Sequence, residues 1–201
     1  MGAEKADPLS ARGIPLMRAG LEEHREVFQR LAALAPAVQE AADLIAAALS
    51  QSGKLLLCGN GGSAADSQHI AAELTGRFVK DRRPLAAMAL STDTSALTCI
   101  ANDYSFEEVF SRQVTALGRK GDCLLAFSTS GNSPNVLRAA EAARAAGLRV
   151  IGLLGRDGGA LRALCDIAIV VPSTTTARIQ EAHIFMGHTL CAMVEAALGL
   201  A

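Results

Sequence analysis

The chain has 201 residues, half of them apolar, with 19 Lys and Arg against 20 Asp and Glu for a formal net charge of -1. That length suits one domain with an ample core. A near-neutral balance with one Tyr and no Trp leaves neither the basic stripe nor the stacking surface of a nucleic-acid binder. No run approaches the ~18 consecutive apolar residues of a membrane-spanning helix, and the opening MGAEKADPLSARGIPL lacks the apolar core of an export signal. The expected location is therefore the cytoplasm. The cysteines (Cys58, Cys99, Cys123, Cys165, Cys191) form no C-x-x-C pair and read as reduced, buried thiols.

Residues 1–14 read as poorly ordered. From Leu16 to Ser50 apolar residues recur at three-to-four spacing, first Leu21, Val27, Phe28, Leu31 and Leu34, then Val38, Ala41, Leu44, Ile45 and Leu49. This predicts two helices, or one kinked at Pro36, packing subunits together. Short apolar runs at 54–58, 85–90, 123–127, 150–154 and 167–171 then alternate with helical stretches at 63–77, 105–117, 134–146 and 159–164. Such alternation predicts an α/β domain with a five-stranded parallel sheet covered on both faces. A last helix over 177–198 is apolar on several faces, as a helix buried between subunits would be.

Ligands of such sheets bind beyond the carboxyl ends of the strands, and two loops stand there. Gly59-Asn60-Gly61-Gly62-Ser63 follows the first strand and opens a helix, where backbone N–H groups and a partial positive charge favour an anion. It lacks the Gly-Lys-Ser/Thr ending of a Walker loop and the dinucleotide fingerprint, and the plain alternative is a turn. Ser128-Thr129-Ser130-Gly131-Asn132-Ser133-Pro134 follows the third strand. A helix cap needs one hydroxyl, and this loop offers four, on Ser128, Thr129, Ser130 and Ser133. Two such loops at one sheet edge point to a phosphosugar.

Further along the first loop's helix, His69 and Glu73 are four apart and share a face. The plain alternatives are an ion pair of Glu73 with Arg77 and an ordinary, partly buried His69. Gln180, His183 and His188 lie on the last helix, and their spacing alone does not indicate a metal site.

The segments CGNGGSAADSQHIAAELTGR, IANDYSFEEVFSRQV, LLAFSTSGNSPNVL and ARIQEAHIFMGHTL resemble the sedoheptulose-7-phosphate (phosphoheptose) isomerase family of sugar-isomerase (SIS) domains, over residues 16–199. The resemblance implies a flavodoxin-like three-layer fold and a single SIS domain over 1–201. It implies that Ser63, Ser128, Thr129, Ser130 and Ser133 hold the phosphate, while Asn60, Gly61, Gly62, Asn102 and Asp103 contact the sugar. It further implies that His69, Glu73, Gln180 and His188 bind one divalent ion, zinc, with Glu73 as base and His188 as acid. Glu73 and Gln180 then also contact substrate.

Gln180 and His188 are about 12 Å apart along a straight helix. Either Gln180 bends back from the helix start, or a neighbouring subunit supplies one ligand. The expected partners are a sugar phosphate and further copies of the chain, in a homotetramer with active sites at its interfaces; neither nucleic acid nor a membrane is expected. One departure is Ala177, where some relatives carry an acid three residues before the Gln. The rival expectation is a non-catalytic SIS-domain binding protein such as the replication-initiator-associating protein DiaA. That protein lacks the Glu and second His matching Glu73 and His188.

Overall fold

In the computed structural model, which describes residues 10–201 with side chains from Gly13 on, the five apolar runs form one sheet. Strands β1 (Leu55–Cys58), β2 (Ala87–Ala89), β3 (Cys123–Ser128), β4 (Arg149–Gly155) and β5 (Ile167–Val171) lie in the order β2-β1-β3-β4-β5, every pair parallel. Strands β1 and β3 are buried along their whole length, which requires cover on both faces. Successive side chains point to opposite faces. Leu55, Leu57, Leu125 and Phe127 enter one core, and Leu56, Cys58, Leu124 and Ala126 enter the other.

The first core is closed by α1 (Ser10–Leu31), α2 (Ala35–Ser50), α3 (Gly62–Thr75) and, from the end of the chain, the helix over Thr176–Ala197. The second core is closed by α4 (Thr94–Asp103), α5 (Ser111–Leu117) and α6 (Pro134–Ala145), so the last helix is α7.

The N-terminal region is two helices rather than one. A 3-10 turn over Ala32–Leu34 parts them, and Pro36 sits in the first turn of α2, where its missing N–H costs no hydrogen bond. By length and composition Gly13–Ser50 is apolar enough to cross a membrane, yet it breaks at this turn, and α2 buries Ala41, Ala42 and Ile45 in the domain core. Of the segment expected to be poorly ordered, residues 1–9 lie outside the described residues, and 10–14 belong to α1.

Two expectations change in the middle of the chain. The stretch 105–117 is a 3-10 turn over Phe106–Glu108 followed by α5, not one helix. Helix α4 has no counterpart among the predicted elements. It is started by Asp93, whose carboxylate accepts the Ala96 N–H at 2.9 Å.

At the amino ends of β1 and β3, opposite the loops, Asp122 is 2% exposed and accepts the N–H groups of Lys54 and Arg119 while pairing with the Lys54 ammonium. On α7, His183 is fully buried against Phe127 and donates from Nε2 to the Leu154 carbonyl at 3.0 Å; its Nδ1 has no partner among the described residues. Burial pushes the His183 pKa down from 6.5 to about 4, and the bond to Leu154 opposes this only in part.

The folded chain thus resists a proton that the unfolded chain accepts. Stability contributed by the neutral ring is complete above the unfolded pKa and is lost as pH falls from 6.5 through about 4. Urea unfolding should show a loss on the order of 3 kcal/mol from this group between pH 7 and pH 4. The same measurement on His183→Leu should show a shallower pH dependence.

Candidate active site

Strands β1 and β3 are neighbours, but the helices that follow them leave on opposite faces, α3 over the first core and α6 over the second. The loops therefore part and leave a crevice, as at the switch point of a doubly wound sheet. The loops are braced against each other by a pair of amides. Asn60 Nδ2 donates to Asn135 Oδ1, and Asn135 Nδ2 donates back to Asn60 Oδ1, both at 2.8 Å. Asn135 is 2% exposed. The side chain of Asn60, expected on the sugar, is thus a strut between the loops, and Asn135 is a site residue missed in the sequence. Its signal was an Asn directly after the helix-opening Ser-Pro.

The second loop is preset for an anion. Ser128 Oγ accepts the Gly131 N–H at 3.0 Å, and Ser130 Oγ accepts the Asn132 N–H at 3.1 Å. The Ser130 hydroxyl hydrogen is left to donate elsewhere, while Ser128 Oγ donates in turn to Ser133 Oγ at 3.4 Å. Ser133 precedes α6 in capping position and makes no side-chain cap bond among the described residues; its oxygen accepts from Ser128, and its own hydrogen stays spare. The loop is held from behind by the turn after β4. Gly131 has φ +66°, and a Cβ there would stand 1.9 Å from the Gly158 carbonyl oxygen. The Leu161 N–H bonds to Gly131 O, and the Ala160 N–H to Asn132 Oδ1. In the first loop the N–H groups of Ser63, Ala64 and Ala65 are taken by Asn60 O and Gly61 O, so this helix start offers an anion less than expected.

Helices α3 and α7 run side by side. Gln180 lies against Gly62, where a Cβ would stand 2.5 Å from its Nε2. Farther along, a Cβ on Gly187 would stand 2.6 Å from Ile70, so the helices touch there through a glycine. That close approach brings His188 Nε2 to 3.0 Å from His69 Nε2. Glu73 Oε1 lies 3.2 Å from His69 Nε2, and Phe78 stacks on His188. Glu73 pairs with His69 and not with Arg77, whose guanidinium donates to Val79 O. One turn before His69, Asp66 keeps one buried carboxylate oxygen without a partner. Burial raises its pKa, against the opposing field of His69.

The ligand atoms of His69, Glu73 and His188 all lie within 4.8 Å of one another. Tetrahedral ligands with bonds of ~2.0–2.1 Å stand about 3.3 Å apart, close to the 3.0 and 3.2 Å found here. These three residues fit a zinc ion within a single chain. Gln180 stands two helical turns away at the loop end of the seam and is not part of that trio.

Asn102 and Asp103 end α4 on the exposed surface. Asn102 donates to Asp103 at 2.8 Å and, with a bond from Cys99, holds that carboxylate below its usual pKa. No hydrogen bond joins either residue to the two loops among the described residues. Cys99 is exposed, contrary to the expectation of buried thiols. Burial pushes the other four up to about 12.

A three-layer parallel fold with a hydroxyl-rich loop at its switch point defines the class. A family model described as "SIS domain" matches residues 21–155, and the chain belongs to that family. Within it, the chain is 56% identical over 182 residues to the phosphoheptose isomerase of Rhodospirillum rubrum, covering 90% of this chain and 97% of the relative. It is 55% identical to that of Helicobacter hepaticus, covering 92% and 94%. Among solved structures, the phosphoheptose isomerase of Neisseria gonorrhoeae superposes with a TM-score of 0.86 at 48% identity, over 90% of this chain and 98% of that one. That of Francisella tularensis gives 0.89 at 38%, over 92% and 98%.

Two substitutions test the geometry. Asn135→Ala removes both amide bonds of the brace, worth about 2 kcal/mol together. Calorimetric titration with a phosphosugar should show roughly ten- to thirty-fold weaker binding, with the fold kept. Gly187→Ala forces α7 off Ile70, and zinc titration should show affinity falling by about tenfold or more at unchanged helicity.

Proposed function

We propose that the chain is an aldose–ketose isomerase that interconverts sedoheptulose 7-phosphate and D-glycero-D-manno-heptose 7-phosphate. What supports this reading is the meeting of Glu73 with two histidines on the helix seam that starts at the glycine loop, where Gln180 lies against Gly62. It occurs in a chain more than half identical to curated phosphoheptose isomerases over nine tenths of its length. A binding protein has no need of Glu73 and His188 in one cluster, so the non-catalytic alternative is not favoured.

The reaction moves a proton between C1 and C2 through an enediolate. The hydroxyls of Ser128, Thr129, Ser130 and Ser133 donate to the phosphate and fix one end of the sugar, with Ser63 beside them. Glu73 takes the carbon-bound proton as general base. His188 supplies a proton to the carbonyl oxygen and takes it back on the return path. His69, Glu73 and His188 would hold a zinc ion, which when bound supplies Lewis-acid polarisation of the carbonyl. Gln180, Gly61 and Gly62 line the route between phosphate and reacting carbons.

The site is shared between subunits in this reading. Gly62 and Glu73 are separated by about 16 Å of helix. An extended seven-carbon phosphate reaches only roughly 10 Å at ordinary bond lengths. A chain's own loops and its own Glu73 are thus spaced beyond one substrate, and a second copy supplies the missing half. Exposed Leu21 and Phe185, with Phe28 between α1 and α7, offer an apolar face for that copy. A homotetramer in the cytoplasm, making heptose precursor for bacterial surface polysaccharide, completes the proposal. Asn102 and Asp103 would meet the sugar across such an interface.

Glu73→Gln should lower turnover of sedoheptulose 7-phosphate by at least a thousandfold, followed as aldose product, with phosphosugar binding retained; unchanged turnover removes Glu73 from the chemistry. Chelation should abolish activity, and zinc should restore it. Co-expressed Glu73→Gln and Gly131→Ala chains, each inactive alone, should regain measurable activity. Glu73→Gln with His188→Ala should not, because both residues belong to one cluster. No recovery in the first mixture would place the whole site in one chain.

A further inference from the structure

Arg82 lies on the segment between α3 and β2 and belongs to neither loop nor cluster. Its side chain is 2% exposed, yet it donates to five oxygens. Nε bonds to Glu195 Oε1 at 2.7 Å, and Nη2 to the Glu73 carbonyl at 2.8 Å. Nη1 bonds to the carbonyls of Leu74, Gly76 and Arg83 at 2.8, 3.0 and 3.1 Å. The last carbonyls of a helix have no partner within it, and Glu73 and Leu74 stand in the last turn of α3. Glu195 belongs to α7, seven residues beyond His188 and on the same face. One guanidinium therefore ties the last turn of the helix that carries Glu73 to the helix that carries His188.

Stability alone is a poor reason for such a pair, because well-packed apolar residues often serve as well or better than buried ions. Direction is what the fork adds. Its donors lie in one plane at fixed angles, and a lysine ammonium cannot reach Glu195 and the α3 carbonyls together. We propose that Arg82 is a positioning residue for the isomerisation, setting the backbone of Glu73 at a fixed distance from α7 and His188. This rests on the reading of Glu73 as base and His188 as acid.

The test is a set of variants assayed below their Tm with sedoheptulose 7-phosphate. Arg82→Lys should lower kcat at least tenfold with KM within twofold, because the phosphate loop is untouched. Asp122→Asn, at the opposite end of the sheet, should lower Tm by a similar amount with kcat within twofold. The double variant Arg82→Met with Glu195→Leu should recover Tm while kcat stays at least tenfold low. Where the Arg82 variants do not fold, Glu195→Gln keeps the shape and one acceptor, and its kcat should fall about fivefold.

A kcat within twofold of wild type in a folded Arg82→Lys, in the double variant or, failing those, in Glu195→Gln overturns the proposal, as does a rise in KM alone. If Glu73→Gln itself turns over normally, the reading of the base fails first. If Glu73→Gln is dead while the Arg82 variants are normal, only the positioning role falls.

Discussion

Helices α3 and α7 run in the same direction along one face of the sheet, and Gly187 lets them touch. A single methyl group there would overlap Ile70. The interhelical distance at that level decides whether His188 reaches His69 at all, because both side chains project from the same seam. Ridge-and-groove packing normally sets helices 8–10 Å apart according to the side chains between them. A missing side chain on α7 draws the two helices close, and the meeting of His69, Glu73 and His188 follows from that closeness. Gln180 against Gly62 and the trio His69, Glu73 and His188 are then two stations along one helix seam.

A loop that would bind an anion with hydroxyls in place of Lys or Arg needs donors already set in position. The Ser128 and Ser130 oxygens each accept a backbone N–H from within the loop, and Ser128 donates on to Ser133, so the loop itself holds these hydroxyls in place. Rigidity comes from behind: Gly131 presses on Gly158 so closely that no side chain fits between. Chain termini of the strands thus supply geometry, and two turns supply the chemistry.

Much of the fold was legible in the sequence because buried parallel strands leave apolar runs, and all five runs became strands. Helix α4 was not, since its first residues are short polar ones and it buries no side chain completely. The two loops were legible from their glycines and hydroxyls. The exchange between Asn60 and Asn135 was not, because it joins residues 75 apart and leaves no local pattern. His69 with Glu73 was readable as an i,i+4 pair. Their meeting with His188 depends on how α7 docks, and for that the residue types matter less than Gly187. Gln180 fell at the loop end of the seam because eight residues of straight helix cannot be folded back.

The amide brace carries a liability of its own. Asn60 is followed by Gly61, and the Asn-Gly peptide is the one whose backbone nitrogen most readily attacks the side-chain carbonyl, expelling ammonia. Conversion of Asn60 to aspartate would set a carboxylate oxygen against Asn135 Oδ1, acceptor facing acceptor, in a place where Asn135 is nearly sealed from water. The hydrogen bonds that join the loops also engage both ends of that side-chain amide, which restrains the rotation its cyclisation needs, so a structural contact doubles as protection against chemical ageing. Samples stored warm and alkaline would lose the tie between the two loops well before they lose their helices.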